Sequence, residues 1–304
     1  MSYKELSLML QVHKRSLKGL VLDTAVDNSG ALTIANTVGR NNNLKALCLG
    51  TFDCRDETRR DGLLSLISQV LRTPNLSHDK SSSTSLEYLS LVCQELDDDG
   101  VHQIAKVLAQ SRLRELMLFL DNANDTSISS RGVSAFANLL QASDTIEEMS
   151  VICNIIDDDG LVSIASVLER SNRTLKTLRL QCTKPPRVTS KGYHSVVQML
   201  KRNTVVEVFE LSRSEDSSQD DSLIEVDAPS EMLSSEDFRL EFQREIDFYL
   251  RLNQAGIRNL QLPDFAPSQF LGKLVTLQDD LDALFYMLSA NPSFVACGVK
   301  DTSP

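Results

Sequence analysis

Two runs of three aspartates are the residues of this chain that most resemble a chemical site. The stretch LDDDG occupies residues 96–100, and IDDDG occupies residues 156–160. Clustered carboxylates can bind a divalent cation or act as acid catalysts. A calcium loop alternates its ligands and places glycine sixth, whereas here glycine follows the third aspartate directly. Adjacent side chains at a helix start also point in different directions, so the spacing does not favour a metal site or a bound cofactor.

The same runs have the features of a helix start. With Asp97 as the N-cap, Leu96 and Val101 occupy the two positions of a hydrophobic staple, and the equivalent pair surrounds Asp157. An aspartate cap is worth about 1 kcal/mol, and its charge also suits the positive end of the helix dipole. We therefore predict that Asp97 and Asp157 are structural helix-capping residues.

The elements around these runs recur along the chain. A pattern of apolar-x-x-apolar-x-apolar, typical of a strand, occurs seven times. The instances are LKGLVL (17–22), LKALCL (44–49), LEYLSL (86–91), LRELML (113–118), IEEMSV (146–151), LKTLRL (175–180) and VEVFEL (206–211). After each of the first six come a glycine and an amphipathic helical pattern, so the unit is strand, turn, helix, turn.

These units alternate in two respects. The three residues before the glycine read DNS, RRD, DDD, SSR, DDD and TSK, so that only the even units carry arginine or lysine. The loops between strand and glycine are also short in odd units and long in even ones. The true period is therefore two units.

This order of motifs resembles the leucine-rich repeat, specifically its ribonuclease-inhibitor-like class, over residues 17–212. The resemblance implies an α/β fold: a horseshoe-shaped solenoid with a parallel sheet on the concave face and helices on the convex face. Each unit then completes the core of its neighbour. The class often has asparagine or cysteine three residues after the last strand leucine, and only Asn154 matches that position here.

Four segments follow from this pattern. We predict an N-terminal capping helix (1–16), the repeats (17–211), an acidic flexible linker (212–237) and a helical C-terminal cap with a disordered end (238–304). The linker holds nine acidic residues against Arg213. The tail sequences IDFYLRLNQAG and ALFYMLSANPS look like the ends of uncharacterised leucine-rich-repeat proteins of diatom-like algae, which indicates lineage and not activity.

Strand alternation predicts which side chains occupy the concave face. The candidates for binding a protein or peptide are Tyr88, Val92, Glu115, Met117, Phe119, Glu148, Ile152 and Arg179. Exposed aromatic and apolar groups ringed by charge are typical of interaction hot spots. Phe119 and Ile152 have a second interpretation, as core residues that turn inward at the strand ends.

The long even-unit loops form a second candidate surface, because function concentrates in loops on rigid scaffolds. They span residues 50–60, 119–130 and 181–190. Repeats of this class followed by an acidic segment also resemble Ran GTPase-activating protein, in which an early repeat carries a catalytic arginine. If Arg55 or Arg59 projects beside an asparagine, that alternative gains weight. If both pair with nearby aspartates, a non-enzymatic scaffold is favoured. A third class of function is a ligand-sensing fragment of an immune-type receptor. No nucleotide-binding domain accompanies the repeats, which weighs against this class.

Bulk composition excludes several classes of function. The 304 residues carry a net charge of −11, which does not suit nucleic acids or anionic membranes. The four histidines share no motif, and no nucleophile elbow, phosphate loop or HExxH sequence is present, so we predict no enzyme activity. Six cysteines without a CxxC pair, and no apolar run of membrane-spanning length, predict a cytoplasmic or nuclear monomer.

Overall fold

The strands and helices alternate along the whole described chain. The computed structural model describes residues 3–13, 16–23, 25–38, 43–55, 57–71, 86–121, 128–184, 186–213, 235–256 and 286. The strands are β1 (Gly19–Leu22), β2 (Ala46–Asp53), β3 (Tyr88–Gln94), β4 (Glu115–Asp121), β5 (Glu148–Cys153), β6 (Thr177–Cys182) and β7 (Val208–Arg213). The helices are α1 (Tyr3–Val12), α2 (Asn28–Val38), α3 (Glu57–Leu71), α4 (Asp98–Leu108), α5 (Ser130–Ala142), α6 (Asp158–Arg170), α7 (Ser190–Arg202) and α8 (Ser235–Gln254).

The strands form one open, wholly parallel sheet in which they lie in chain order, from β1 to β7. Each strand therefore pairs with the strand one repeat earlier, and the helix between them crosses one face of the sheet. Consecutive helices also pack side by side, from α1 to α8. This repeated βα arrangement is the predicted leucine-rich-repeat solenoid.

The core lies between the sheet and the helices. On each strand, alternate leucines such as Leu89 and Leu91 are buried, and the helices add residues at helical spacing, such as Ile104 and Leu108 of α4. Alternation along a strand and a period of about 3.6 on a helix both place apolar groups on one side. We call the opposite side of the sheet, on which none of the described helices lies, the open face.

Buried asparagines at the carboxyl ends of α6 and α7 tie successive repeats together. Asn203 is fully buried; its Nδ2 donates to the Leu168 carbonyl at 2.6 Å, and its Oδ1 accepts from Val206 N at 3.0 Å. Asn172 makes the same bonds one repeat earlier, donating to the Leu140 carbonyl. One asparagine amide has two N–H donors and an oxygen that can accept two hydrogen bonds. It thus satisfies several backbone groups that would otherwise be buried without partners.

Helix α8 continues this pattern and differs in position from the predicted linker and cap. It begins at Ser235, within the segment predicted as linker, and β7 extends to Arg213. Asn253 near its end donates to the Asn203 and Val206 carbonyls at 3.0 and 2.7 Å, as Asn203 does to the preceding repeat. Helix α8 therefore fills the helix position of a seventh repeat, and residues 214–234 connect that repeat's strand to its helix.

The two ends of the chain are described in part. Helix α1 packs against α2, at the position of the predicted N-terminal cap. Beyond residue 256, the predicted helical C-terminal cap lies outside the described residues except for Tyr286, which is helical and whose ring centroid is 6.1 Å from that of Phe248. The predicted disordered end also lies outside them. Among the described helices, none has the length and apolar character needed to cross a membrane.

Candidate functional site

The first aspartate of each run caps its own helix. Asp97 has extended backbone geometry (φ −87°, ψ 173°), and its Oδ1 accepts a hydrogen bond from Gly100 N at 2.7 Å. Asp157 accepts from Gly160 N at 2.9 Å in the same way. These bonds satisfy backbone N–H groups that have no partner within the helix.

The second aspartate reaches the helix of the following repeat. Asp158 Oδ1 accepts from the backbone N–H groups of Thr189 at 2.8 Å and Gly192 at 3.0 Å, and its Oδ2 accepts from Thr189 Oγ1 at 2.5 Å. Asp98 binds the backbone N–H and hydroxyl of Ser129 in the same manner. Because Thr189 and Ser129 are themselves N-caps, each of these aspartates helps to cap a helix about thirty residues ahead.

The third aspartate forms an ion pair with the next, basic unit. Asp99 pairs with Arg131 at 2.9 Å, and Asp159 pairs with Lys191 at 2.6 Å, where the hydrogen bond raises the pKa of the lysine. These side chains are well exposed, so solvent screens each ion pair and its contribution to stability is small. The alternation of acidic and basic units is thus explained by contacts between repeats. Within the described part of the chain, no group of three or more His, Cys, Asp or Glu side chains could hold a metal ion.

The open face is ordered in rows by the strand register. One row runs Tyr88, Glu115, Glu148 on neighbouring strands β3, β4 and β5. A second row, four residues further along the strands, runs Val92, Phe119, Ile152 on the same strands. Met117 lies between the rows, with its sulfur 3.9 Å from the Tyr88 hydroxyl. The structure therefore brings most of the predicted binding residues into one patch.

The predicted binding residues on the open face differ in how exposed they are. Tyr88, Val92, Met117 and Phe119 are half-buried, and we call these four residues the apolar patch. Ile152 is only 8% exposed, which corrects its prediction as an exposed contact residue. The register places it between two longer side chains, those of Phe119 and Gln181 on the neighbouring strands.

The charged residues of the open face differ in their partners. Arg179, at the far side of the patch, forms an ion pair with Glu210 at 3.6 Å. Glu115 and Glu148 are both exposed and lie opposite one another on β4 and β5. No described residue forms a hydrogen bond or salt bridge with either carboxylate.

The long loop of the second repeat contains the arginines considered for GTPase activation. Arg55 binds Asp53 with Nη2 to Oδ2 at 2.7 Å, and Arg59 binds the same carboxylate. The hydrogen bond from the Arg55 side chain is the main cause that lowers the pKa of Asp53 to about 2. Arg59 and Asn28 also line a cleft of about 580 Å³ at this edge, where the Asn28 amide donates to the Thr58 carbonyl at 3.0 Å. Both arginines are thus engaged by an aspartate.

The other long loops are described less fully. Residues 122–127 in the long loop of the fourth repeat, and residue 185 in that of the sixth, lie outside the described residues. In the loop of the sixth repeat, Arg187 N donates to the Ile156 carbonyl at 2.8 Å, and Arg187 forms an isolated bridge with Asp157. This loop is held to the preceding repeat by its backbone.

A ladder of alternating charge runs along the amino ends of the strands, and our sequence analysis missed it. Lys45 pairs with Glu87 at 2.5 Å, and Glu147 pairs with both Arg114 at 2.6 Å and Lys176 at 2.9 Å. Bonds from Lys176 and Arg114 lower the pKa of Glu147. The signal was readable, because the second residue of each strand motif alternates in charge from Lys45 onward.

Buried thiols occupy equivalent positions at the carboxyl ends of the strands. Cys153 and Cys182 are register partners on β5 and β6. A hydrogen bond with Cys182 and burial raise the pKa of the Cys153 thiol, and Cys54 and burial do the same for Cys93. A raised pKa disfavours the nucleophilic thiolate, so Cys93 and Cys153 serve as small core residues.

Comparison with known proteins agrees with this architecture. The chain is 27% identical to ribonuclease inhibitor of Mus musculus over 168 residues, which is 50% of this chain and 36% of that protein. The match thus spans about a third of the relative's length. A structure of leiomodin-1 actin-binding site 2 aligns with 17% identity over 53% of this chain and 76% of that one. Its TM-score of 0.36 is too low to support an argument. No protein-family model matches the sequence. The chain is a leucine-rich-repeat solenoid that is similar to ribonuclease inhibitor.

Proposed function

We propose that this chain is a non-enzymatic scaffold that binds a protein or peptide on its open face. The observation that carries the proposal is the apolar patch, in which aromatic, thioether and branched side chains remain half-buried on a surface that none of the described helices covers. Tyrosine, phenylalanine and methionine are enriched at the centres of protein interfaces. The similarity to ribonuclease inhibitor, whose name describes action on a protein, supports the same class of function.

The scaffold beneath the patch suits rigid recognition. The residues that alternate with the patch on β3 and β4, such as Leu91 and Leu118, are fully buried against the helices. The parallel backbone pairing on both sides of each strand fixes the spacing of the side chains. A surface held in this way loses little conformational entropy on binding, which favours affinity.

The test compares two variants of similar size and charge change. The first is Tyr88→Ala/Met117→Glu/Phe119→Ala on the open face, and the control is His102→Ala/Gln103→Glu on the exposed side of α4. Binding partners would be captured from lysate, identified by mass spectrometry and then purified for direct titration. We expect a directly binding protein whose affinity falls at least 10-fold in the open-face variant and is unchanged in the control. Equal affinity for both variants, with both folded by circular dichroism, would refute an open-face site.

One observation favours a second candidate. Arg59 and Asn28 line the same cleft, which is the juxtaposition expected of a GTPase-activating protein. The pairing of Arg55 and Arg59 with Asp53 weighs against it, because both cations are already neutralised. Single-turnover GTP hydrolysis by a panel of small GTPases would decide: acceleration that is lost in Arg59→Ala would replace the scaffold proposal, and unchanged hydrolysis would retain it.

We also propose that the chain acts as a monomer in the cytoplasm or nucleus and does not bind nucleic acids or membranes. Among the described residues, the thiols of Cys48, Cys54, Cys93, Cys153 and Cys182 are free, which suits a reducing compartment. The net charge of −11 opposes binding to polyanions. Light scattering after size exclusion would test the monomer, and imaging of a tagged chain would test the location.

A further inference from the structure

We infer that the open face accepts a cationic segment of its protein partner, with a lysine or arginine side chain held between Glu115 and Glu148 beside Tyr88. This inference rests on the proposed function and specifies the chemistry of the partner. It follows from the position of charge on the open face and from the apolar patch that adjoins it.

The two glutamates form a like-charge pair on the sheet. Glu115 and Glu148 are register partners on β4 and β5, and neighbouring strands lie about 4.8 Å apart. Like charges directly opposite one another on neighbouring strands are destabilising. The adjacent Arg114 interacts with Glu115 only through space, because its hydrogen bonds, from Nε at 2.9 Å and from Nη2 at 2.6 Å, go to Glu147.

This pair departs from the rest of the solenoid. At several other places in the solenoid, a carboxylate meets a cation at the corresponding position of a neighbouring repeat, as in the pairs of Glu87 with Lys45, Asp159 with Lys191 and Glu210 with Arg179. Continuing the row across the sheet leads to Thr177 and Val208, which are neutral. The row that contains Glu115 and Glu148 therefore supplies negative charge without an internal counter-ion among the described residues.

The neighbouring side chains select a polypeptide rather than a free cation. Tyr88 is the register partner of Glu115 and so places an aromatic side chain on the strand beside the carboxylates, and aromatic rings attract lysine and more often arginine. Phe119 lies four residues along the strand from Glu115, which corresponds to about 13 Å. An extended partner with a basic residue and an apolar residue four positions apart would match both the acidic pair and the apolar patch.

A direct test uses peptides as the probe. A random 12-residue phage-displayed library would be selected on the wild-type chain, and the best peptide would be synthesised and titrated. We expect enrichment of Arg or Lys, with an apolar residue about four positions away. We also expect an affinity at least 10-fold weaker for Glu115→Gln/Glu148→Gln. The charge-matched control Glu87→Gln/Glu207→Gln lies beside these strands and should leave the affinity within about 2-fold.

The outcomes separate this inference from the proposed function. Peptides that lose affinity in Phe119→Ser but not in Glu115→Gln/Glu148→Gln would overturn the cationic inference and leave the open-face scaffold intact. Peptides insensitive to both variants would overturn both. A ligand-free measurement adds an independent check: Glu148→Gln should raise the unfolding midpoint by removing repulsion, and a lowered midpoint would show that Glu148 is stabilised by the fold instead.

Discussion

Asp158 caps a helix that it does not belong to: its Oδ1 accepts a hydrogen bond from Thr189 N at 2.8 Å, one repeat further along the chain. The aspartate itself lies in the first turn of α6, and Thr189 is the N-cap of α7. This relationship explains why acidic runs precede hydroxyl-bearing units. It makes the DDD runs connectors between repeats, in addition to caps within a repeat.

Loss of this connector should destabilise the chain. Asp158→Ala removes three hydrogen bonds, to the Thr189 N–H, the Thr189 hydroxyl and the Gly192 N–H. We expect a decrease of about 2 kcal/mol in the free energy of unfolding, measured in urea. The control is Asp159→Ala, which removes only the exposed pair with Lys191 and should cost less than about 1 kcal/mol. Equal costs for the two variants would contradict an inter-repeat cap.

Gly192 should resist replacement by alanine. In an exposed helix, alanine is more stable than glycine by about 1 kcal/mol. Here a Cβ atom would lie 2.6 Å from both Asp158 Oδ1 and Val188 Cγ1, too close for either atom to remain in place. We expect Gly192→Ala to lower the free energy of unfolding by about 1–3 kcal/mol. In a double-mutant cycle with Asp158→Ala, the two costs in unfolding free energy should be coupled, because part of the clash disappears with the carboxylate. Strictly additive costs would speak against a clash between the new Cβ atom and Asp158.

Asn253 should hold α8 to the repeats. The residue is 3% exposed, and its amide donates to the Asn203 and Val206 carbonyls. Asn253→Ala leaves those buried carbonyls without these donors, at a cost of about 1–3 kcal/mol. Hydrogen exchange should then increase in α8 and much less in α5 and α6. The control Gln254→Ala removes one exposed bond to the Glu207 carbonyl and should change exchange little. Unchanged exchange in Asn253→Ala would count against α8 as a seventh repeat helix.

The Asp53 carboxylate should make stability depend on acid pH. Its pKa is lowered to about 2 in the folded chain, from an ordinary value of about 3.9. Because the folded value is depressed, the stabilisation is complete above about pH 4 and is lost as pH falls through about 2. Because the Arg55 side chain is 65% exposed, solvent screening limits the stabilisation by the charged Asp53 carboxylate to about 1 kcal/mol at pH 7.

Urea unfolding of the wild type and of Asp53→Asn at several pH values between 2 and 7 measures this effect. The difference in unfolding free energy between the wild type and Asp53→Asn should shrink towards zero at the lowest pH. Arg55→Gln removes the principal cause of the shift and should reduce the difference throughout. A difference that stays constant down to pH 2 would mean that the carboxylate is not stabilised in its charged form.

Several features were predictable because they depend on local sequence. The caps at Asp97 and Asp157 involve glycines three residues away, and the strand leucines follow from alternation along the chain. The composition of the open face also followed from alternation, since Tyr88, Met117 and Phe119 share a side of the sheet. Alternation alone could not decide between the exposed and the buried interpretation of Ile152, because its burial depends on the side chains of two neighbouring strands.

The sequence by itself determined the repeating unit, its strand and helix periods and the caps at Asp97 and Asp157, because these rest on interactions within a few residues. Only the tertiary structure decided which repeat Asp158 reaches, which cation each carboxylate meets and where α8 lies. Those contacts join residues about thirty or more positions apart. They exist only when neighbouring strands are in register, since the parallel pairing sets one repeat beside the next.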